Sequence, residues 1–171
     1  MNMTAAMQST TATPYASSDD FRRIFYEEID SLHRLSFLLT ADLEKADLCF
    51  VSGLEDSANR STVFKEWAHS WARRTIIQNA VRAINPRPTE EHTPSSFDSG
   101  GATLPVERAE TAAVLQLGPF ERFVYVMSVL ERYSDQDCSV LLACTRRDVL
   151  AARIRASQQI EMQSTFSLSA K

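Results

Sequence analysis

The N-terminal half of the chain carries runs of apolar residues at helical spacing. The first run follows Ser18, a predicted N-cap, and its apolar positions lie at offsets of 0, 3, 4, 11, 14 and 18 from Phe21. This spacing forms one face of an amphipathic helix. A second helix is predicted from about Asp42 to Leu54, ended by Gly53 and the polar residues after it. Its expected inner positions are Leu43, Ala46, Phe50, Val51 and Leu54.

A third run, from Val63 to Ile84, is the longest and most apolar. It carries apolar side chains on more than one side, which is typical of the central helix of a bundle. Ser61 or Thr62 is its expected cap. The dipeptide Asn85-Pro86 ends it, because a residue before proline disfavours the helical conformation.

The C-terminal half predicts four shorter helices. Pro105 opens the first, which continues to about Leu117, and the next begins after Gly118-Pro119. The apolar residues of this second helix are Phe120, Phe123, Val124, Met127 and Leu130. Two short helices follow, and each starts with a serine or threonine three residues before an aspartate, a variant of the capping box. These pairs are Ser134 with Asp137 and Thr145 with Asp148.

Composition separates the two halves. Prolines, serines and glycines cluster between residues 86 and 103 with hardly any apolar residue, as in a linker. We therefore predict an all-α protein of two small helical domains joined by a flexible linker, the second ending in a helix-turn-helix. The predicted order is a disordered tail (1–17), a helical domain (18–85), the linker (86–103), the helix-turn-helix domain (104–156) and a polar tail (157–171).

Composition and charge exclude several classes of protein. The hydrophobic fraction of 44% is that of a globular chain, and a formal charge of −4 still permits a local basic face. No apolar run is long enough to span a membrane, and the polar first 18 residues do not resemble a signal peptide. We expect a cytoplasmic protein with no membrane partner. Its three cysteines form no CxxC pair and are expected to be reduced.

Enzymatic chemistry is not apparent in the sequence. His33, His69 and His92 are scattered without the spacing of metal ligands. A phosphate-binding loop would follow a strand, but no strand is predicted before the pair Gly100-Gly101. No serine lies in the sequence context of a nucleophile elbow. We expect no catalytic function, no metal and no cofactor.

The segment from residue 134 to residue 156 has the organisation of a helix-turn-helix. Its first helix presents Cys138, Leu141 and Leu142 inward, a tight turn follows at Ala143-Cys144, and Val149 anchors the second helix. That second helix bears four arginines against one acid. In such motifs the first turn of the second helix enters the major groove, and flanking arginines hold phosphates. A helical hairpin with a solvated basic face would give the same pattern.

Several stretches resemble the sigma-70 family, in particular sigma factors of the extracytoplasmic-function type. Leu115, Leu117, Pro119 and Arg122, followed by the apolar helix into Ser134, resemble the opening of region 4. Thr40 to Leu48 resembles the start of the core-binding helix of region 2, and Trp71 through Asn79 to Arg82 resembles the helix before the linker. The resemblance covers about Phe21 to Ala156. It implies a transcription initiation protein whose partners are core RNA polymerase, promoter DNA and an anti-sigma protein.

The resemblance also implies which residues contact each partner. In the family the second helix docks on the polymerase, which implies Glu44, Asp47 and Leu48 here, while Val51 is expected to lie in the core. The implied DNA-binding residues are Arg73, Arg74, Asn79, Arg82, Thr145, Arg146, Arg147, Arg153 and Arg155. Trp67 or Trp71 could stack on a flipped base, although aromatic residues at helical spacing more often belong to a core.

Three functions remain open. The first is a sigma-factor-like initiation protein, and the second is a regulator whose helix-turn-helix binds DNA alone. The third is a diverged paralogue that acts only as a protein-interaction module, with an anti-sigma partner. The order of the two regions favours the first over the second. Leu48-Cys49-Phe50-Val51 replaces the family's acid-glutamine signature, and Ala152 stands where arginine is usual. These departures favour the third over the first.

Overall fold

The computed structural model describes residues 13–59, 62–88 and 106–169, and over these ranges the fold is all-α, as predicted. The N-terminal group comprises α1 (Ser18–Glu27), α2 (Ile29–Thr40), α3 (Leu43–Ala58), a short 3-10 helix (Lys65–Trp67) and α4 (Ala68–Ile84). The C-terminal group comprises α5 (Val106–Leu115), α6 (Pro119–Tyr125), a π-helical segment (Val126–Leu130), α7 (Asp135–Leu141) and α8 (Arg146–Ser169). Most of the predicted linker lies outside the described residues.

Packing begins before the predicted first helix. Ser17 rather than Ser18 caps α1, because its Oγ accepts the backbone N–H of Asp20 at 3.2 Å. Upstream, Ala16 is buried and donates its backbone N–H to the carbonyl oxygen of Val63 at 2.7 Å. The residues just before α1, which the sequence assigned to a tail, are therefore anchored on the loop that precedes α4.

The first amphipathic run folds as two helices rather than one. The backbone leaves the helical conformation at Glu28, with φ −105° and ψ 21°. The Glu28 carboxylate contacts His69 and Arg73 of α4. No glycine or proline marks this bend in the sequence. The residues of α4 that contact Glu28 lie some forty residues farther along the chain, so local sequence does not indicate the bend.

α3 is longer than predicted because Gly53 is a packing residue rather than a helix end. A Cβ at Gly53 would lie 2.9 Å from Cγ1 of Ile76 in α4, so the missing side chain permits close approach of the two helices. Thr75 of α4 donates its hydroxyl to the Gly53 carbonyl oxygen at 3.2 Å. α4 also contacts α1 and α2, which confirms its predicted central position.

Of the two capping boxes predicted in the C-terminal group, the one at Thr145 forms in both directions, whereas Ser134 caps α7 through its side chain alone. The hydroxyl of Thr145 accepts the backbone N–H of Asp148 at 3.1 Å, and the Asp148 carboxylate accepts the backbone N–H of Thr145 at 2.9 Å. Ser134 accepts the backbone N–H of Asp137 at 3.1 Å. Between α7 and α8, Ala143 takes the left-handed conformation with φ 50°, which makes the turn as tight as the sequence predicts.

The helix predicted to run through Leu130 changes its hydrogen-bonding pattern. α6 ends at Tyr125 and the π-helical segment follows, so Met127 is buried while Leu130 is exposed rather than in the core. The backbone N–H of Glu131 reaches the Val126 carbonyl oxygen at 2.9 Å. This arrangement turns the Glu131 side chain toward α4, where it binds Arg73.

α2 joins the two helical groups. It contacts α5, α6 and the π-helical segment, and the buried apolar residues of both groups form one continuous cluster. Arg122 of α6 is buried and donates to the carbonyl oxygens of Leu39 at 3.2 Å and Thr40 at 3.5 Å. The two predicted domains are thus in direct contact, and their independent folding stays a prediction.

α8 extends well beyond the predicted recognition helix. The sequence placed the end of that helix near Ala156 and a polar tail after it, but the backbone stays helical to Ser169. Ala152 and Ala156 are fully buried, and α8 packs against α5 and α6 as well as α7. The longer helix therefore packs against the other three α-helices of the C-terminal group.

Candidate functional surfaces

The first turn of α8 presents two unpaired cations. Arg146 and Arg147 are exposed, and neither forms an ion pair within the residues that the structure describes. The neighbouring carboxylate of Asp148 has a lowered pKa, chiefly because the side chain and then the backbone of Thr145 donate hydrogen bonds to it. Asp148 is therefore charged at neutral pH, and its carboxylate is part of the capping box at the start of α8. Both arginines retain their capacity to bind an anion.

Farther along α8, the other two predicted DNA-binding arginines bind carboxylates of their own chain. Arg153 Nη1 lies 2.5 Å from Asp135 Oδ1 of α7, and Arg155 Nη2 lies 2.8 Å from Glu121 Oε1 of α6. The Glu121 side chain is only 7% exposed. These two pairs tie α8 to its neighbouring helices, and the carboxylate beside each arginine competes with a phosphate for its hydrogen-bond donors.

α8 also exposes apolar side chains that sequence reasoning missed. Leu150 is 46% exposed and Ile154 is 50% exposed, one helical turn apart on the same face. A face that reads base edges is normally built from polar side chains. The available signal was spacing, because both residues fall out of step with the buried positions Val149, Ala152 and Ala156.

On α4, Arg73 is engaged through its whole guanidinium group. Its Nε and Nη2 atoms each lie 2.6 Å from an oxygen of Glu131, and its Nη1 donates to Ser31 Oγ at 3.0 Å and to Glu28 at 3.4 Å. The hydrogen bond to Glu131 is the largest reason why the pKa of Arg73 is raised. This predicted DNA contact thus joins α4 to the C-terminal group.

The other predicted contacts on α4 differ among themselves. Asn79 Nδ2 lies 2.9 Å and Arg82 Nη1 lies 3.1 Å from the same oxygen of Asp56 in α3. Arg74 is half-buried beside Tyr133 and has no ion pair among the described residues. The predicted DNA-binding residues of this region therefore share the helix α4, but their partners lie on different neighbouring elements.

The two tryptophans proposed for base stacking lie in different environments. Trp67 is exposed and meets Phe64 edge-on, with ring centroids 5.3 Å apart. Phe64 in turn lies 4.8 Å from the ring of Tyr15, which the sequence placed in the tail. Trp71 is half-buried against the core. Trp67 is the more exposed of the two and lies in an exposed aromatic cluster with Tyr15 and Phe64.

The outer face of α3 carries the predicted polymerase-binding residues. Leu48 is 62% exposed and Val51 is 52% exposed, so the expectation that Val51 lies in the core was wrong, as it was for Leu43. The inner face is made by smaller residues (Ala46, Cys49 and Gly53), because these let α3 approach its neighbours closely.

The two acids predicted beside Leu48 are placed differently. Asp47 Oδ1 lies 2.6 Å from Nε2 of His33 in α2, so one of its carboxylate oxygens is already bound within the bundle. Glu44 is exposed and forms no ion pair in the described ranges. Glu44 is therefore the freer of the two to meet a basic partner.

The remaining candidate features are the cysteines, a metal site and a membrane-spanning helix. Cys49 and Cys138 are buried and Cys144 is half-buried, and burial raises the pKa of each thiol, for Cys138 to about 11. Among the described residues, no three histidine, cysteine or acidic side chains lie close enough to hold a metal ion. None of the helices that the structure describes is both long and apolar enough to cross a membrane.

Comparison with known proteins identifies a fold rather than a family. No protein-family profile and no curated protein sequence matches the chain. Among solved structures, the chain is similar to the sigma factor RpoE from Bartonella quintana in complex with the anti-sigma factor NepR. The TM-score is 0.50 at 14% sequence identity, and the match covers 86% of this chain and 98% of the other. The helical arrangement described above is therefore shared with a sigma factor.

Proposed function

We propose that this protein is a sigma-factor-like transcription initiation protein, which binds core RNA polymerase through α3 and promoter DNA through the first turn of α8. The observation that carries the proposal is the exposed apolar pair Leu48 and Val51. Adjacent large apolar side chains on the outside of a packed bundle are a mark of protein-binding surfaces. The fold shared with a sigma factor supports the choice of partner.

The outer face of α3 has the composition of a protein interface. Leu48 and Val51 lie about 60° apart around the helix, and the exposed acids Glu44 and Glu55 lie one turn before and one turn after them. An apolar centre supplies most of the affinity of such a surface, and charges at its rim steer the partner. We expect a basic partner surface with an apolar patch at its centre.

Promoter contact is assigned first to Arg146 and Arg147. Both project from the first turn of a capped helix without an ion pair in the described part of the chain. A guanidinium group can bind guanine or phosphate through two parallel hydrogen bonds. Arg153 and Arg155 contribute only if Asp135 and Glu121 release them, so we expect their role in binding to be secondary.

Association with core polymerase tests the α3 surface. The double variant Leu48→Asp/Val51→Asp should no longer co-elute with core polymerase, because charged side chains are costly to bury in an apolar interface. Leu43→Asp is the matched control, since Leu43 is equally exposed on α3 but about 140° around the helix from Leu48. If wild-type protein does not co-elute at low salt, or if the control loses binding equally, binding through this face is contradicted.

A second candidate is a protein-interaction module that binds an anti-sigma protein and no DNA. The exposed side chains of Leu150 and Ile154 favour it, because they give the exposed face of α8 an apolar character. The similar sigma factor was crystallised with an anti-sigma protein.

Fluorescence anisotropy on promoter-length duplexes separates these functions. Binding that requires Arg146 and Arg147, together with polymerase association, supports the initiation protein. DNA binding without polymerase association indicates a helix-turn-helix regulator. No DNA binding at low salt, with helix content intact by circular dichroism, leaves the interaction module.

A further inference from the structure

The outward face of α8 carries a stripe of exposed side chains with opposite charges at its two ends. The exposed apolar residues Leu150 and Ile154 occupy its centre. Arg147 lies toward the start of the helix and Glu161 toward its end, and both are exposed. Exposed Gln158 lies between Ile154 and Glu161. These five residues fall within about 80° of one another around the helix, and they are named the outer stripe.

Two ion pairs show that the outer stripe points away from the neighbouring helices. Arg153 binds a carboxylate of α7 on one side of the stripe, and Arg155 binds a carboxylate of α6 on the other. Around the helix, Arg153 lies about 60° from Leu150 at one border, and Arg155 lies about 60° from Gln158 at the other. The outer stripe is therefore the part of α8 that is open to another molecule.

We propose that two copies of this chain associate through the outer stripe, with their α8 helices antiparallel. Ile154 lies seven residues from Arg147 and seven residues from Glu161. A two-fold axis at Ile154 therefore brings Arg147 of each copy opposite Glu161 of the other. The same axis places Leu150 of each copy opposite Gln158. The stripe is thus complementary to itself.

Charge selects the antiparallel arrangement. In a parallel pair the two Arg147 side chains would face each other, as would the two Glu161 side chains, and opposed like charges are unfavourable. Arg147 has no ion pair among the described residues, so it gains a carboxylate partner in the antiparallel pair. The carboxylate of Glu161 can accept a further hydrogen bond, because its two oxygens accept several. A contact between two single helices is small, so we expect a weak, concentration-dependent dimer.

Sedimentation equilibrium of the full chain over a wide range of concentrations tests the self-association. The wild-type protein should pass from monomer to dimer as its concentration rises. Ile154→Asp should weaken the dimer by about tenfold or more, because two carboxylates then meet at the axis. Ile29→Asp is the matched control, since Ile29 of α2 is 51% exposed and Ile154 is 50% exposed. Equal weakening in the control overturns the proposal. So does a wild-type protein that stays monomeric, which would leave the outer stripe to a different protein partner.

Charge reversal tests the antiparallel register. Arg147→Glu and Glu161→Arg should each weaken the dimer by about tenfold, because each variant opposes like charges across the interface. Arg147→Glu/Glu161→Arg should restore it, since each reversed charge then meets its opposite on the second copy. The two positions lie about 21 Å apart on one helix, so the restoration cannot arise within one chain. A double variant as weak as the single variants overturns the proposed pairing.

DNA should compete with the second copy for Arg147, a consequence that rests on the proposed function. A promoter-length duplex should therefore convert the wild-type dimer into complexes that contain one copy of the chain, as measured by sedimentation velocity. A dimer that binds the duplex without dissociating overturns this competition. Absence of DNA binding by a chain that dimerises as described contradicts the proposed function, while the dimer itself is supported.

Discussion

The first turn of α8 and the helix α4 carry the same kind of side chain in different surroundings. Arg146 and Arg147 have no ion pair in the described part of the chain, whereas Arg73 and Arg82 of α4 lie against carboxylates of other elements. Arg74, next to Arg73 in sequence, has no ion pair among the described residues. The carboxylates on the neighbouring elements thus decide whether an arginine is available to a ligand.

The same contrast exists within α8. Arg146 and Arg147 at its start have no ion pair with any residue that the structure describes, and Arg153 and Arg155 are paired two turns later. Removal of an arginine that is ion-paired should therefore cost folding stability, and removal of one that is not should cost only binding.

Arg155→Ala should have the largest effect. It removes the cation that lies 2.8 Å from the nearly buried carboxylate of Glu121, and a buried charge that loses one of its partners is destabilised. Because the Arg155 side chain is itself half-exposed, we expect a loss of about 2 kcal/mol rather than the full cost of a buried pair. Urea unfolding measures it, with Arg147→Ala as the control. Equal unfolding free energies for the two variants would show that the pair is not structural.

Thr145→Ala should have a smaller effect, about 1 kcal/mol, because it removes an N-cap hydrogen bond from the start of α8. It also removes the main cause of the lowered pKa of Asp148. A carboxylate with a lowered folded-state pKa adds stability above its unfolded pKa of about 3.9, and this contribution is lost as pH falls through the folded value. Thr145→Ala should therefore weaken the acid-side pH dependence of unfolding. An unchanged pH profile would contradict the role of the cap.

Local signals in the sequence were enough to predict much of the fold. The N-caps at Ser134 and Thr145, the turn at Ala143 and the central position of α4 follow from contacts near in sequence or from a strong apolar pattern. Gly53 was misread because its close approach to Ile76 depends on a helix more than twenty residues away. The bend at Glu28 has the same origin, since its partners lie on α4.

The candidate surfaces were less predictable for a related reason. Residue type selected Leu48, Arg146 and Arg147, which are exposed, but it carries no information about which carboxylate lies nearby. Arg73 is 58 residues from Glu131 and Arg155 is 34 residues from Glu121. Only the packing of the helices brings these charges together, so their engagement was not visible in the sequence.

Arg153→Ala should cost about 0.5 kcal/mol, less than either variant above. Its partner Asp135 is more than a third exposed, and exposed ion pairs contribute little because water and salt screen them. Asp135→Asn should cost a similar amount, and the double variant should cost less than the sum of the two. Full additivity in this double-mutant cycle, measured by urea unfolding, would mean that the pair contributes no interaction energy.

Arg146→Ala and Arg147→Ala should change the unfolding free energy least, by no more than about 0.5 kcal/mol, as is usual for unpaired surface residues. Their effect should appear in DNA binding instead. An arginine that binds guanine through two hydrogen bonds contributes roughly 1–3 kcal/mol and sets sequence preference. An arginine that binds phosphate weakens binding to all sequences equally when removed and lowers the salt slope by about one. Anisotropy titrations at several salt concentrations distinguish these two roles. Stable variants that bind DNA as tightly as the wild-type protein would leave both arginines as a solvated surface, and the difference between the two ends of α8 would then have no bearing on promoter recognition.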